Sequence, residues 1–191
     1  MKIFIDGSAG TTGLRIKDRL MKRSDVELTT LSEEQRKDTE SRKQALNSAQ
    51  VAFLCLPDAA AVEAVELVEN PDTVIIDTST AHRTSEGWAY GFPELSAEFE
   101  DKIKNSKRIA VPGCHAGGFI ALVYPLVEAG VLGNDALLSC YSLTGYSGGG
   151  KKMIAEYESE DKSSLLFAPR QYGLTQQHKH LKEMKGITGI E

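Results

Sequence analysis

The amino-acid sequence predicts an α/β protein whose first part is a doubly wound parallel sheet. Three observations support this prediction. Strand-like and helix-like segments alternate over residues 2–111. Segment 51–56, VAFLCL, is almost continuously apolar, as expected of a strand covered on both faces. A glycine-rich turn joins the first strand to the first helix.

The predicted elements of this first part follow one another closely. Strands are expected at residues 2–6, 26–31, 51–56, 74–77 and 109–111. Helices are expected at residues 12–23, 39–49 and 59–69, and a loop at 78–94. Pro57 ends the third strand, since proline cannot donate to the ladder of hydrogen bonds.

The pattern changes after residue 113, which predicts a first domain at 1–113 and a second at 114–191. The second domain reads as α+β: a buried helix at 118–129, a strand at 136–144, a loop at 145–152, and helices at 153–160 and 176–185. Pro125 predicts a kink or a late start of the first of these helices. The region is small and ends on what reads as the approach to another strand, which predicts an incomplete domain.

Composition limits the classes of partner. A net charge of −5 argues against nucleic acid or anionic membrane as the main partner. No apolar run reaches the roughly 20 residues of a membrane-spanning helix, and the first residues lack a leader pattern. Three cysteines without metal-type spacing predict a reduced, cytoplasmic protein with no metal site.

The glycine-rich turn, GSAGTTG, is typical of a loop that holds the pyrophosphate of a dinucleotide. Glycines permit a tight turn and close approach of the backbone, and the helix N-terminus favours negative charge. The alternative is a merely tight turn, because the spacing differs from G-x-G-x-x-G. The predicted cofactor-binding residues here are Gly7, Ser8, Gly10, Thr11, Thr12 and Gly13.

The end of the second strand favours NADP over NAD. It lacks an acidic residue at its tip, although Glu33 and Glu34 follow closely. Ser32 and Arg36 supply a hydroxyl and a base, which suit a 2′-phosphate, whereas an acid would suit a free ribose hydroxyl.

Two later strand ends extend the predicted crevice, because carboxyl ends of parallel strands line it in open α/β sheets. Leu56 and Pro57 lie at the first, where a simple strand exit is the alternative. At the second, Ser79 is predicted to contact the cofactor and Arg83 to hold a substrate anion. Helix capping by Asp77 is the alternative there.

Cys114, in RIAVPGCHAGG, is the candidate nucleophile. Most free cysteines are buried and inert. This one follows a strand end and lies at the expected first turn of a helix, where the dipole lowers a thiol pKa and free N–H groups cradle an oxyanion. Cys55 and Cys140 both read as core residues.

A nucleophilic thiol needs a base, and the histidines are the candidates. His115 follows the thiol but is expected to point away from it on a helix. His178 and His180 diverge if their segment is helical, so one of the two, with His180 preferred, is expected to meet the thiol. Surface histidines in solvent are the alternative. His82 lies in the cofactor-side loop.

Segment 144–152, TGYSGGGKK, can form a nest for a phosphate or carboxylate. Ser147 and Gly148 are predicted to contact the cofactor and Lys151 the substrate. Arg170 is a candidate clamp for a carboxylate, and Tyr172 is placed with it in the substrate set.

These motifs together resemble the N-acetyl-γ-glutamyl-phosphate reductase family, in its shorter subtype, which is related to aspartate-semialdehyde dehydrogenase. The resemblance covers most of the chain and rests on GSAGTTG, LPDAAA, DTSTAHR, YGFPEL, PGCHAGG, GYSGGGK and QHKH, in the family's order. PGCHAGG with GYSGGGK is fairly specific, and YGFPEL favours this family over the aspartate enzyme.

The resemblance implies a Rossmann-type domain followed by a catalytic domain of the semialdehyde/glyceraldehyde-phosphate dehydrogenase type. It implies that Cys114 is the nucleophile, that the His178/His180 pair is the acid–base group, and that the glycine loop binds NADP. It also implies a small-molecule acyl-phosphate substrate and a homo-oligomer, dimer or tetramer, at full length. Family members continue past Glu191, adding strands and a final helix. The rivals are aspartate-semialdehyde dehydrogenase and a non-catalytic NADP-binding fragment.

Overall fold

A parallel sheet organises the first part of the chain in the computed structural model, which describes residues 1–171, 173–175 and 177–191. The sheet order is β2-β1-β3-β4-β6-β5, and every neighbouring pair is parallel. Its strands are β1 (Lys2–Asp6), β2 (Glu27–Thr29), β3 (Val51–Leu54), β4 (Val74–Asp77), β5 (Ala89–Tyr90) and β6 (Arg108–Ala110). The prediction of an α/β parallel fold is therefore confirmed.

The helices are α1 (Thr11–Leu20), α2 (Thr39–Ser48), α3 (Asp58–Glu66), α4 (Ala97–Asn105), α5 (Cys114–Glu128), α6 (Gly150–Glu158) and α7 (His180–Thr188). Short 3-10 turns lie at Gln35–Lys37, Pro93–Leu95, Tyr146–Gly149 and Ser164–Phe167. Among the described residues, no helix is both long and apolar enough to cross a bilayer.

The core explains why the strands pair as they do. Phe4, Leu54 and Ile75 come from β1, β3 and β4, are almost fully buried, and belong to one cluster with Leu46 of α2. Apolar side chains from neighbouring strands thus pack under the same helix, which stabilises the parallel register by removing apolar surface from water.

The direction in which successive strands are added to the sheet reverses beside β1. The chain moves from β1 outward to β2 and then returns to β3 on the other side of β1. In open α/β sheets, ligands bind outside the carboxyl ends of the strands at such a reversal. The glycine loop follows β1 and Leu56 follows β3, so both lie at this crevice.

Helix α4 and the short strand β5 are absent from the predicted elements. Ser96 caps α4 by accepting a hydrogen bond from the N–H of Phe99, and two i,i+4 ion pairs run along its exposed face. Among the described residues, the two residues of β5 pair with β6 alone. A two-residue strand carries no periodicity, which is why the sequence does not reveal it.

The predicted strand at 136–144 is wrong, because the structure has no regular element there. Its apolar side chains Leu137, Tyr141 and Leu143 are exposed. No sheet neighbour pairs with the segment among the described residues, and an isolated strand is not stable in water. Cys140 lies in it and is exposed, so the prediction that Cys140 is a core residue is also wrong.

Helices α5 and α7 pack against each other beside the sheet. Ile120 of α5 is buried in a cluster that includes Tyr90, with Met184 and Ile187 of α7 packed against it. Helix α5 begins at Cys114, four residues earlier than the predicted segment, and continues through Pro125. Helix α7 begins at His180; of the helix predicted at 176–185, residues 177–179 are not helical and residue 176 lies outside the described residues.

Candidate active site

Cys114 is the first residue of α5 and its side chain is exposed. Gly113 precedes the helix in an extended conformation, with φ −71° and ψ 150°. The free N–H groups of the helix N-terminus therefore lie next to this residue. By contrast, burial raises the pKa of Cys55 to about 11, so that thiol is unreactive at neutral pH.

His180 lies directly against the residue that precedes this thiol. A Cβ added to Gly113 would lie 2.5 Å from Nε2 of His180. The imidazole is buried, and that burial lowers its pKa to about 4. Nδ1 of His180 is buried without a hydrogen-bond partner among the described residues. A neutral histidine of this kind is a proton acceptor at pH 7.

His178 lies beside His180 instead of diverging from it. The ring centroids are 4.5 Å apart, and the backbone N–H of His180 donates to Nδ1 of His178 over 3.2 Å. His178 precedes α7, so the helical geometry that would separate the two rings does not apply. Burial, with a contribution from the charge of His115, lowers the pKa of His178.

His115 joins the same group, although it is expected from the sequence to point away from the thiol. Its ring centroid lies 5.9 Å from that of His180 and 6.1 Å from that of His178. Its Nδ1 is 2.7 Å from Oγ of Ser142. Three neighbouring imidazoles, one from α5 and two from the start of α7 and the residues before it, thus meet near the start of α5.

Glu183, one turn after His180 on α7, is the residue that the sequence reasoning missed. Its carboxylate is buried and accepts three hydrogen bonds: from the N–H of Gly113 (2.8 Å), the hydroxyl of Tyr90 (2.7 Å) and Nη1 of Arg83 (2.8 Å). Burial, followed by this bond to Glu183, raises the pKa of Tyr90, which therefore stays protonated. Glu183 thereby fixes the backbone immediately before Cys114 relative to the sheet.

Arg83 is held inside the protein. Besides Glu183, it donates from Nε to the carbonyl of Val111 (2.9 Å) and from Nη2 to the carbonyl of Thr78 (3.1 Å). Its side chain is 7% exposed. This position favours a role in organising the start of α5 over the predicted direct contact with a substrate anion.

The glycine loop has the shape of a cradle. Gly7 has φ +83°, and a Cβ there would overlap the carbonyl oxygen of Cys55. A Cβ on Gly13 would overlap the carbonyl oxygen of Gly7. The first turn of α1 carries no acidic residue. The backbone can therefore approach an anion closely at the helix N-terminus, so the loop fits the pyrophosphate of a dinucleotide.

Ser79 and Asp77 form a closed turn at the end of β4. Asp77 is fully buried and accepts from the N–H and Oγ of Ser79, and its Oδ2 lies 2.7 Å from Nδ1 of His82. The carboxylate thus anchors the loop rather than capping a helix. The next residue, Thr80, is held by Asp58 at the start of α3.

Ser32 and Arg36 lie in one turn after β2. The N–H of Arg36 donates to the carbonyl of Ser32 over 3.0 Å. Nε of Arg36 is buried without a hydrogen-bond partner among the described residues. The two residues thus share one turn, and their contact with a 2′-phosphate stays a prediction.

The second-domain candidates lie around α6. Ser147 and Gly148 are exposed in the turn before it. Lys151 lines an open pocket of about 520 Å³ together with Thr11, so it lies near the start of α1. Arg170 is on the outside, over the ring of Tyr157 and 3.4 Å from Glu156. Tyr172 lies outside the described residues.

Two family models match the chain. The semialdehyde dehydrogenase NAD binding domain matches residues 2–105, and the semialdehyde dehydrogenase dimerisation domain matches residues 114–189. The first match alone spans more than half of the chain.

Two similar curated relatives carry the same name. The N-acetyl-γ-glutamyl-phosphate reductase of Chelativorans sp. (strain BNC1) is 52% identical over 96% of this chain and 59% of its own length. That of Mesorhizobium japonicum is 48% identical over 99% of this chain and 61% of its own. The chain thus spans about three fifths of the length of these relatives.

Solved structures agree on the fold. Aspartate semialdehyde dehydrogenase from Francisella tularensis matches with a TM-score of 0.61 and 18% identity, over 87% of this chain and 53% of that one. Aspartate semialdehyde dehydrogenase II from Vibrio cholerae matches with a TM-score of 0.59 and 14% identity, over 98% and 66%. At these identities the likeness concerns the fold alone.

Proposed function

The chain belongs to the semialdehyde dehydrogenase family, and from that premise we propose that this protein is an N-acetyl-γ-glutamyl-phosphate reductase. It reduces an acyl phosphate to the aldehyde and releases phosphate, with NADPH as the reductant. The observation that carries the proposal is the exposed thiol of Cys114, which is the first residue of a helix and is flanked by two residues that contact His180. The names of the curated relatives select the substrate.

The thiol performs the covalent chemistry. His180, neutral and buried, accepts the proton of the Cys114 thiol, and His178 is the alternative acceptor. The thiolate attacks the acyl carbon, a carbon–sulfur bond forms, and phosphate leaves, which gives a thioester. This intermediate divides one difficult step into two easier ones.

Release of the product returns the proton. Reduction of the thioester gives a thiohemiacetal anion, which collapses to the aldehyde as the carbon–sulfur bond breaks. The departing thiolate of Cys114 recovers its proton from the protonated histidine, and the site is restored. N–H groups at the N-terminus of α5 favour the negative charge that develops on the oxygen.

The residues at the crevice suit NADP. The cradle of Gly7 to Gly13 is proposed to hold the pyrophosphate, with Leu56, Pro57 and Ser79 along the crevice, and Ser32 and Arg36 are proposed to hold the 2′-phosphate. When bound, the nicotinamide supplies the hydride that reduces the thioester. Ser147, Gly148, Lys151, Arg170 and Tyr172 stay candidate contacts of the second domain.

The assembly and location are proposals of the same kind. The match of residues 114–189 to a dimerisation domain supports a homo-oligomer, for which we propose a dimer or tetramer. A cytoplasmic location is proposed with it. A division into nucleotide-binding residues 1–113 and catalytic residues 114–191 is part of the proposal.

Trapping the thioester tests the assignment without a requirement for cofactor. The chain is incubated with N-acetylglutamyl 5-phosphate, and its intact mass is expected to increase by one acyl group that hydroxylamine removes. Cys114→Ser should gain nothing, whereas Cys140→Ser, which lacks the other exposed thiol, should gain the same group. Acylation that persists in Cys114→Ser would refute the assignment.

The same acylation experiment with a second acyl phosphate distinguishes the proposed function from its two alternatives. Acylation by aspartyl phosphate in preference to the N-acetylglutamyl compound would favour aspartate-semialdehyde dehydrogenase. Binding of NADPH with no acylation by either compound would favour a non-catalytic NADP-binding module.

A further inference from the structure

The proposed chemistry does not use His115, yet this histidine shares the site with His178 and His180. The three ring centroids are 4.5, 5.9 and 6.1 Å apart. His115 is the second residue of α5, immediately after Cys114, and the distance from its Nδ1 to Oγ of Ser142 is 2.7 Å. The ring is therefore held in place against both partners.

The three imidazoles differ in their access to water. His180 is buried at 6% exposure, whereas His115 and His178 are half-buried. A proton that enters the group is best hydrated on the two outer rings and least hydrated on His180. A second proton on a ring about 6 Å away is opposed by Coulomb repulsion. Water and salt screen this repulsion only weakly, because the rings are partly buried.

The surrounding charges act in both directions. Lys179 and Arg83 carry positive charge that opposes protonation of His178 and His180 respectively, and Glu183 carries negative charge that favours protonation of His180. Glu183 is already engaged with Arg83, Tyr90 and the N–H of Gly113. Burial lowers the pKa of His178 and His180, and the charge of His115 adds to this effect on both.

We propose that His115 is a positioning residue that acts through His178 and His180: the three rings form one electrostatically coupled cluster, in which a proton taken up from solvent by one ring opposes the uptake of a second. His180 then remains a proton acceptor beside Cys114. A proton on His115 repels a second proton from His178 and His180. His180 therefore stays unprotonated, and able to accept a proton, at a more acidic pH than it would without His115. The consequence for catalysis rests on the proposed function, but the existence of the cluster does not.

Histidine titration tests the cluster directly. The Cε1–H signals of the histidines of the 191-residue chain are followed by NMR against pH, in the chain and in His115→Gln. We expect the pKa of His178 to rise by about 0.5 to 1 unit in the variant, the effect of losing a unit charge about 6 Å away in a partly hydrated site. His115→Phe, which keeps a ring but no charge, should give the same shift.

Lys182→Gln is the matched control. It removes one positive charge from an exposed position of α7, the helix that carries His180. It should leave the histidine titrations within about 0.2 unit, because exposed charges are screened. If His178 titrates alike in the chain and in both His115 variants, or if Lys182→Gln shifts it as much, the cluster does not exist.

The thiol provides a second readout. Alkylation of Cys114 by iodoacetamide is measured against pH in a Cys140→Ser background, which removes the other exposed thiol. The acidic limb of the profile should move upward by about 0.5 to 1 unit in His115→Gln, in step with His178. An unmoved limb would overturn the proposal that His115 acts on the acceptor of the thiol proton.

Discussion

Replacing Glu183 by glutamine tests how the start of α5 is held. The carboxylate accepts hydrogen bonds from Gly113, Tyr90 and Arg83, and its side chain is 3% exposed. Glutamine has nearly the same shape but no charge, and its amide nitrogen must face one of these donors. The guanidinium of Arg83 is then buried without a counter-ion.

The magnitude follows from burial of both partners. Removing one member of a buried ion pair costs about 3 to 5 kcal/mol, because the remaining charge loses its compensation. Glutamine retains one acceptor oxygen, so we expect a loss of about 3 kcal/mol in the free energy of unfolding. For a chain of this length, that loss lowers the melting temperature by about 6 to 12 °C.

Thermal and urea unfolding of Glu183→Gln measure this loss. Glu98→Gln is the matched control, since it removes an equivalent charge from an exposed i,i+4 pair on α4 and should leave the midpoint unchanged. Adding Arg83→Met to Glu183→Gln should recover about 2 kcal/mol relative to the sum of the single losses. A melting temperature within about 2 °C of the parent in Glu183→Gln, or strict additivity in the double variant, would refute the reasoning.

Two further predictions concern the cofactor loop and the buried histidine. Gly7→Ala should abolish NADPH binding in a titration monitored by the fluorescence of the reduced nicotinamide, because its Cβ overlaps the carbonyl of Cys55. Gly87→Ala has a similar φ of +78° in open space and should bind normally, at a cost of about 1 kcal/mol in stability. His180, whose pKa falls from 6.5 to about 4 on folding, binds fewer protons in the folded than in the unfolded state between these values. The free energy of unfolding should therefore rise by about 3 kcal/mol from pH 4 to pH 6.5. His180→Gln should flatten the dependence of the urea midpoint on pH in this range, and an equal slope in the variant would contradict the prediction.

The elements that sequence reasoning found are those with strong local signals. The continuous apolar run of β3 and the glycines after β1 depend on neighbours within a few residues, and the strand and the turn lie where predicted. Residues 136–144 have the composition of a strand but no described partner, and strand formation depends on a partner that local sequence does not contain. The two residues of β5 are too few to carry a pattern.

The candidate site also contains residues with local sequence signals and residues without them. Cys114 is recognisable as a candidate nucleophile because its signals, a strand end and flanking glycines, are adjacent in sequence. Glu183 is not recognisable by that reasoning, since its three partners lie 70, 93 and 100 residues away. One available signal was its position three residues after His180, which places both side chains on one face of a helix. The proximity of His115 to His178 and His180 was not predicted, because it depends on contacts between the start of α5 and the distant chain around the start of α7.

The large sequence separation between Glu183 and its partners also affects the order in which the chain folds during synthesis. During synthesis, Arg83, Tyr90 and the amide of Gly113 leave the ribosome long before α7 does. Until α7 docks, these groups are hydrated or satisfied by transient partners, since the contacts that join them to Glu183 span 70 to 100 residues. The sheet is able to assemble beforehand from shorter-range pairs. We therefore expect a nascent chain with a formed glycine loop to precede one with an ordered start of α5, so that the surroundings of Cys114 form after the glycine loop.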